Sequence, residues 1–388
     1  MYAIKTYNKI SAIGLDLFDK NKYAVSDTAE APVGAIVRSA ALHDEEFAPE
    51  LLAIARAGAG TNNIPTERCG NEGIVVFNTP GANANAVKEL VIAGLFLASR
   101  KVVPAIEWAN TLKGNGDAVG KMVEKGKSAF AGPEIKGKTL GVIGLGAIGV
   151  LVANAAHHLG MQVYGYDPYL SLQNAWELSH NVHRAADMKE IFEKCDYISL
   201  HIPLNTETKG FVNAEAFAQM KDGVRILNFA RDGLVNSNDM IAALASGKVA
   251  SYVVDFPTDE MIGVEGVVCI PHLGASTPES EDNCAVMAAE QLIDFIENGN
   301  ITNSVNLPSV SMARGTAMRI CVIHRNIPNM LTSVTAALAK DNVNIENMVN
   351  RSKGDLAYTM IDVNECDKDA VSAHLSDVEG IIRVRFIG

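Results

Sequence analysis

At 388 residues, 48% hydrophobic and 20% charged, the chain has material for two or three domains with substantial cores. A formal net charge of −12 argues against general affinity for nucleic acid or anionic membranes, so an anionic ligand needs a local basic pocket. Six scattered cysteines without a CxxC pair or metal spacing, no apolar stretch longer than Leu90–Ala98, and an N-terminus without a signal-peptide core give the remaining expectations: a reducing cytoplasmic setting, no metal and no membrane.

Residues 1–97 alternate strand-like runs (Ala35–Val37, Leu52–Ala55, Ile74–Phe77) with helical segments, ending in the apolar helix Ala86–Ser99. A polar, Gly- and Lys-rich stretch, Leu112–Lys138, follows. Then Thr139–Asp167 combines a strand (Leu140–Ile143), a glycine turn (Gly144-Leu145-Gly146-Ala147-Ile148-Gly149), an Ala-rich helix to Leu159, a second strand (Met161–Tyr166) and a terminal acid. Gly144 permits the tight turn, Gly146 lets backbone approach a pyrophosphate, and Gly149 lets helix and strand pack closely. The helix N-terminus offers free N–H groups to the anion. Asp167 is placed for a ribose diol. No Arg follows it (Pro168, Tyr169, Leu170), so NAD is expected rather than NADP.

Strand candidates Tyr197–Ile202, Val224–Phe229, Tyr252–Asp255 and Val267–Ile270 alternate with helical patterns such as Asn213–Met220 and Ser237–Ala245, which predicts a doubly wound parallel sheet. A second long helix from Thr277-Pro278 to about Glu297 carries the chain back to the first domain. The expected fold is therefore α/β: a nucleotide-binding domain (98–280) inserted in a smaller α/β substrate domain (1–97 and 281–308), with a cleft between them. Gly299–Gly315 reads as a linker. Beyond it, Ala317–His324, Pro328–Ala339, Ile345–Val349, Tyr358–Val363, Asp369–Leu375 and Ile381–Phe386 follow a βαββαβ order, a ferredoxin-like module over 317–388.

Oxidation of a hydroxy acid by NAD requires a base, a cation for the carboxylate and a group that tunes the base. Such groups belong at the carboxyl ends of sheet strands. Asn228-Phe229-Ala230-Arg231-Asp232-Gly233 puts Arg231 there, able to grip a carboxylate with two N–H groups or to pair at the surface with Asp232. Val253–Glu260 supplies carboxylates, and Ile270–Ala275 supplies His272, a base near neutrality or a structural histidine.

In these stretches the chain resembles the D-isomer-specific 2-hydroxyacid dehydrogenase family, and within it the branch acting on phosphoglycerate. The matching segments are GLGAIG…YDP, HIPLNTETKGFV, NFARDGLVN, DFPTDE and PHLGAS. The C-terminal module is similar to an ACT domain. The resemblance implies NAD-dependent oxidation of 3-phospho-D-glycerate to 3-phosphooxypyruvate, the first step of phosphorylated serine biosynthesis. Arg231 would bind the substrate and His272 would be the acid/base. A glutamate would orient His272 and raise its pKa; counting from Asp255 this is Glu260, whereas reading from Phe256-Pro257-Thr258 it is Asp259, and Glu260 is the right residue type. Implied cofactor contacts are Gly144, Gly146, Ala147, Ile148 and Gly149, Asp167, Ile202, Phe229, Ala230 and Arg231, Asp255, and His272, Leu273, Gly274 and Ala275. His201 is read as structural.

For the substrate phosphate, Arg38 with Ser39 and the turn Gly58-Ala59-Gly60, which follows Arg56-Ala57, are the candidates. In the module, His324, Asn326 and Asn344 match places that hold L-serine in inhibited relatives, although Asn329 stands where glycine is usual. A homodimer or homotetramer is expected. Rival readings are another D-2-hydroxyacid dehydrogenase (D-lactate dehydrogenase or glyoxylate/hydroxypyruvate reductase) and a non-catalytic NAD-sensing protein of the same fold.

Overall fold

A computed structural model describes residues 1–315 and 318–388. The chain divides into two compact units, 1–82 with 278–388, and 83–277.

In the first unit, β1 (Tyr2–Tyr7), β2 (Tyr23–Ser26), β3 (Gly34–Val37), β4 (Ala53–Arg56) and β5 (Val75–Phe77) form a parallel sheet ordered β2-β1-β3-β4-β5. β1 and β2 were not among the expected strands, because Lys5, Thr6 and Ser26 interrupt the apolar pattern. The sheet packs Ile4, Ile36, Ala55 and Phe77 against Ala285, Ala288, Leu292 and Phe295 of the helix Pro278–Asn298.

The second unit holds β6 (Thr139–Ile143), β7 (Gln162–Tyr166), β8 (His183–Arg184), β9 (Tyr197–Leu200), β10 (Val224–Asn228), β11 (Val249–Val254) and β12 (Val267–Cys269). All pair in parallel, in the order β12-β11-β10-β9-β6-β7-β8. Strand order reverses between β6 and β9, the switch point where such sheets take ligands at their carboxyl ends. The structure divides the chain at 82/83 and 277/278, not at 97/98 and 280/281. The reason is the helix Ala84–Ser99: the Phe229 ring lies 2.9 Å from where a Cβ on Gly94 would sit, so this helix packs on the seven-stranded sheet. Two further helices, Val102–Thr111 and Val119–Gly126, occupy the stretch leading to β6.

The C-terminal residues form β13 (Met318–Arg325), β14 (Ile345–Lys353), β15 (Leu356–Val363) and β16 (Ile381–Ile387), an antiparallel sheet ordered β14-β15-β13-β16. Helices Met330–Lys340 and Lys368–Ser376 complete the βαββαβ order. The expected strand start, Ala317, lies outside the described residues. One sheet face buries Ile320, Val322, Ile361 and Val363 under the helices. The other packs Cys321, Ile323, Tyr358 and Met360 into the core of the first unit. Residues 299–315 are correspondingly no free linker. Leu307 is fully buried, Ile301 bridges Val310, and Ser304 bridges Phe77. The buried Arg319 donates to both carboxylate oxygens of Asp362 at 2.6 and 2.9 Å and to the carbonyls of Asn298, Met312 and Ala313.

Candidate active site

The glycine turn adopts the geometry its spacing demands. Gly144 has φ +93°, and a Cβ there would lie 2.5 Å from the His201 carbonyl oxygen. A Cβ on Gly149 would collide with the Gly144 carbonyl oxygen, whereas one on Gly146 would meet nothing within 4 Å. Gly146 caps the helix Ala147–His158, and among the described residues no side chain accepts from the first-turn amides, including those of Ala147 and Ile148. The turn thus presents open backbone and free donors, as a pyrophosphate needs.

Asp167 stands at the tip of β7. Its Oδ2 accepts from the Leu145 amide and its Oδ1 from the Tyr169 amide, both at 2.8 Å. Each oxygen keeps a lone pair for a hydroxyl donor. Ile202 is half-buried just beyond β9. His201 bonds Ser199 Oγ through Nε2 at 2.8 Å, and burial pushes its pKa down to about 4, so it is neutral and structural.

Three neighbouring strands, β10, β11 and β12, end in the proposed chemistry. Beyond β10 the buried Asn228 folds the turn: its Oδ1 accepts from the amides of Ala230 and Arg231, and its Nδ2 donates to the Arg231 carbonyl. Phe229 is buried, and Arg231 is exposed. Asn228 was missed in the sequence; a polar amide at the end of an apolar strand was the available signal. At the end of β11, Asp255 is 1% exposed and its Oδ1 has no hydrogen-bond partner. Burial pushes its carboxyl up to about 6, against the pull of its own backbone hydrogen bond and of Arg231. After β12, the His272 amide donates to the Asp255 carbonyl at 2.9 Å, and the residue takes φ +34°, uncommon for a side-chain-bearing residue. Its ring lies 4.5 Å from the Phe256 ring. Leu273 is exposed; Gly274 is buried, leaving room beside Asp255 Oδ2, with Ala275 next.

The structure does not bring Glu260 or Asp259 to His272. Both acids are exposed on the turn after Phe256, and among the described residues no carboxylate is a charged neighbour of His272. The expected rise in its pKa is reversed: burial, and then the charge of Arg231, lower it.

In the other unit, Arg38 is held by Glu281 at 2.6 Å. The amides of Ser39 and Ala40 donate to Asn8 Oδ1. The cation lying on the glycine turn is Arg56, which the sequence places at the start of the run Arg56-Ala57-Gly58-Ala59-Gly60 without singling it out as a ligand. Its guanidinium lies against Gly58, whose φ is +151°, and within 3.9 Å of a Cβ on Gly60. It donates through Nε to the Arg38 carbonyl at 3.2 Å, and among the described residues no carboxylate is a charged neighbour. Ala59 accepts through its carbonyl from Asn78.

His324 is buried: one ring nitrogen contacts the Arg325 carbonyl, the other Thr359 Oγ1 at 2.9 Å. Asn326 donates to the Gly354 carbonyl and Asn344 to Glu346. Asn329 has φ +67°, the left-handed conformation that glycine adopts without a Cβ penalty.

A parallel sheet with an open glycine turn at its switch point and an acid at the tip of the next strand is the architecture of a dinucleotide-binding domain, and the chain's similarity to known proteins makes it an NAD-dependent dehydrogenase. Residues 94–274 match the NAD-binding domain of the D-isomer-specific 2-hydroxyacid dehydrogenases. The chain is 32% identical over 358 residues to a D-3-phosphoglycerate dehydrogenase of Haemophilus influenzae, covering 88% of this chain and 82% of that one. It is 32% identical over 356 residues to that of Escherichia coli K12, covering 88% and 82%. A crystal structure of NAD+-bound 3-phosphoglycerate dehydrogenase from Entamoeba histolytica is similar at a TM-score of 0.60 and 28% identity, covering 79% of this chain and 98% of that one. This chain belongs to the D-isomer-specific 2-hydroxyacid dehydrogenase family. No helix among the described residues is long and apolar enough to cross a membrane, and no group of three or more His, Cys, Asp or Glu there could hold a metal.

Proposed function

We propose that the chain oxidises 3-phospho-D-glycerate to 3-phosphooxypyruvate, the opening step of phosphorylated serine biosynthesis. The observation carrying the reading is the set of Arg231, Asp255 and His272 at the ends of three adjacent strands, beside a turn built for a dinucleotide. NAD, held by residues 144–149, Asp167, Ile202, Phe229–Arg231, Asp255 and His272–Ala275, supplies the hydride acceptor. Arg231 grips the substrate carboxylate and polarises the C2 oxygen. His272 takes the C2 hydroxyl proton; its lowered pKa leaves the imidazole neutral and ready to accept at pH 7. Asp255 offers its unpaired oxygen to an amide donor. Glu260 is the acid proposed to pair with His272 in the loaded site, since it lies on the turn that follows Phe256, whose ring packs at a tilt against the imidazole. Arg56, with Arg38, the Ser39 hydroxyl and the amides of Ala59 and Gly60, takes the phosphate, while the Gly58 amide donates to the Arg56 carbonyl.

Following NADH absorbance with 3-phosphohydroxypyruvate, 2-oxoglutarate, pyruvate and glyoxylate side by side tests the reading. Preference for the phosphorylated keto acid supports it; preference for glyoxylate or pyruvate assigns the chain to another dehydrogenase of the family. The six cysteines, all free, fit a cytoplasmic enzyme. Assembly as a homodimer or homotetramer is part of the proposal and is tested by light scattering. An L-serine effector at the ACT-like module would have to displace the internal partners of His324, Asn326 and Asn344; a flat activity curve against serine rejects that role.

A further inference from the structure

Between residues 304–309 and β14 runs an open groove of about 460 Å³. Arg351 and Lys353 line it together with Ser304, Ser309 and Ser352; Ser304 Oγ already donates to Asn306 and accepts from the Leu307 amide, and among the described residues no carboxylate lines the groove. That absence is informative in a chain with 45 acidic against 33 basic residues. The two cations differ in their engagement. Lys353 Nζ donates to the carbonyls of Ser304 and Val305 at 3.1 and 2.9 Å and so pins β14 to the segment before it. The guanidinium of Arg351 makes no ion pair or hydrogen bond among the described residues, and its five N–H donors are free. β14 is also an edge strand, so alternate backbone N–H groups along it lie outside the ladder.

We propose that this groove binds a small multivalent oxyanion, inorganic phosphate or a phosphate ester, with Arg351 as the principal ligand and Lys353 as the second charge. The bound anion neutralises two like charges on one strand and bridges β14 to residues 304–309, fastening the C-terminal sheet to the segment that joins it to β5. The site is separate from Arg56 and does not depend on the substrate reading.

The test titrates inorganic phosphate, and in a second arm 3-phosphoglycerate, into the full chain by calorimetry without NAD. Arg56→Gln removes the proposed substrate phosphate ligand, and Arg351→Gln empties the groove of its free cation without touching a fold contact. In the Arg56→Gln background one phosphate per chain is expected to remain, and adding Arg351→Gln weakens it about tenfold or more, the loss of a charge-assisted contact. The tighter of the two arms names the source of the anion. Equal binding with and without Arg351, or no binding below about 10 mM in the Arg56→Gln background, overturns the site. Should Arg56→Gln fail to fold, wild type against Arg351→Gln decides by stoichiometry: a fall from two phosphates to one supports the groove, and an unchanged number rejects it.

Discussion

The backbone amide of His272 donates to the carbonyl of Asp255 at 2.9 Å, so the proposed base and the buried carboxylate share one main-chain anchor. The same amide also reaches the Ile270 carbonyl, and the tight reversal holds His272 at φ +34°. Strain of this kind costs on the order of 1 kcal/mol or more and persists only where the surroundings impose it. The imidazole is therefore placed by backbone geometry and by the Phe256 ring.

Asp255 is held at a cost to the fold. Its carboxyl rises from 3.8 to about 6 in the folded chain through burial. Between those values the folded state binds more protons than the unfolded one, so stability falls as pH rises and stays reduced above about 6. The shift corresponds to on the order of 3 kcal/mol at most. Asp255→Asn is expected to raise the melting temperature at pH 8, with the gain vanishing near pH 4. NAD affinity should fall about tenfold, because an amide donor loses its charged acceptor. Thermal melts at the two pH values with NADH fluorescence titrations check both; an unchanged or lower melting temperature at pH 8 contradicts the account.

The glycine turn separates folding from binding. Gly149→Ala drives a methyl into the Gly144 carbonyl oxygen and should destabilise the chain by several kcal/mol or prevent folding. Gly146→Ala meets no protein atom within 4 Å, so its circular dichroism and melting temperature should match wild type. Its methyl nevertheless occupies the space a pyrophosphate needs, and NAD affinity should drop at least tenfold. Equal NAD affinity in Gly146→Ala and wild type would place the dinucleotide elsewhere.

The strand–glycine–helix–strand–acid run was legible because each residue answers a local constraint: φ, close approach, dipole or apolar burial. The ferredoxin-like order was legible from periodicity. What local pattern concealed was where elements pack. Nothing in Ala84–Ser99 itself says that Gly94 admits the Phe229 ring, and the Asn- and Ser-rich letters of 299–315 hide the buried Leu307 and the carbonyls that Arg319 collects. Arg38 looked the better phosphate ligand until Glu281, distant in sequence, proved to be its partner. The Glu260–His272 relation is implied by the family resemblance, with the residue chosen by counting along a loop, and such counting does not fix a side-chain contact.

The proposed acid partner is tested through the pH profile. Oxidation requires neutral His272, so kcat/KM should rise with pH through a pKa below the ordinary 6.5 and then level off. A carboxylate meeting the imidazole in the loaded enzyme favours the protonated ring and raises the value seen in kcat. Glu260→Gln should therefore shift the kcat profile to lower pH and slow turnover, whereas Asp259→Asn should leave the profile in place. The reverse pattern transfers the role to Asp259. No shift in either variant removes a carboxylate partner altogether.

Arg56 and Arg38 differ in what holds them, and this predicts unequal effects. Arg38 is exposed and already shares its charge with Glu281, so part of its attraction for a phosphate is spent. Arg56 is half-buried on the Gly58–Gly60 turn with no carboxylate beside it, and burial has pushed its guanidinium below its usual value. An incoming dianion relieves that penalty as well as forming charge-assisted hydrogen bonds, worth about 1.5–3 kcal/mol. Arg56→Gln should raise KM for 3-phosphoglycerate roughly 10- to 100-fold with NAD affinity unchanged. Arg38→Gln should raise it less, and Glu281→Gln, by freeing Arg38, should lower it. Steady-state kinetics on the three variants check the order, and an Arg38 effect larger than that of Arg56 would show that the ion pair with Glu281 opens when substrate binds.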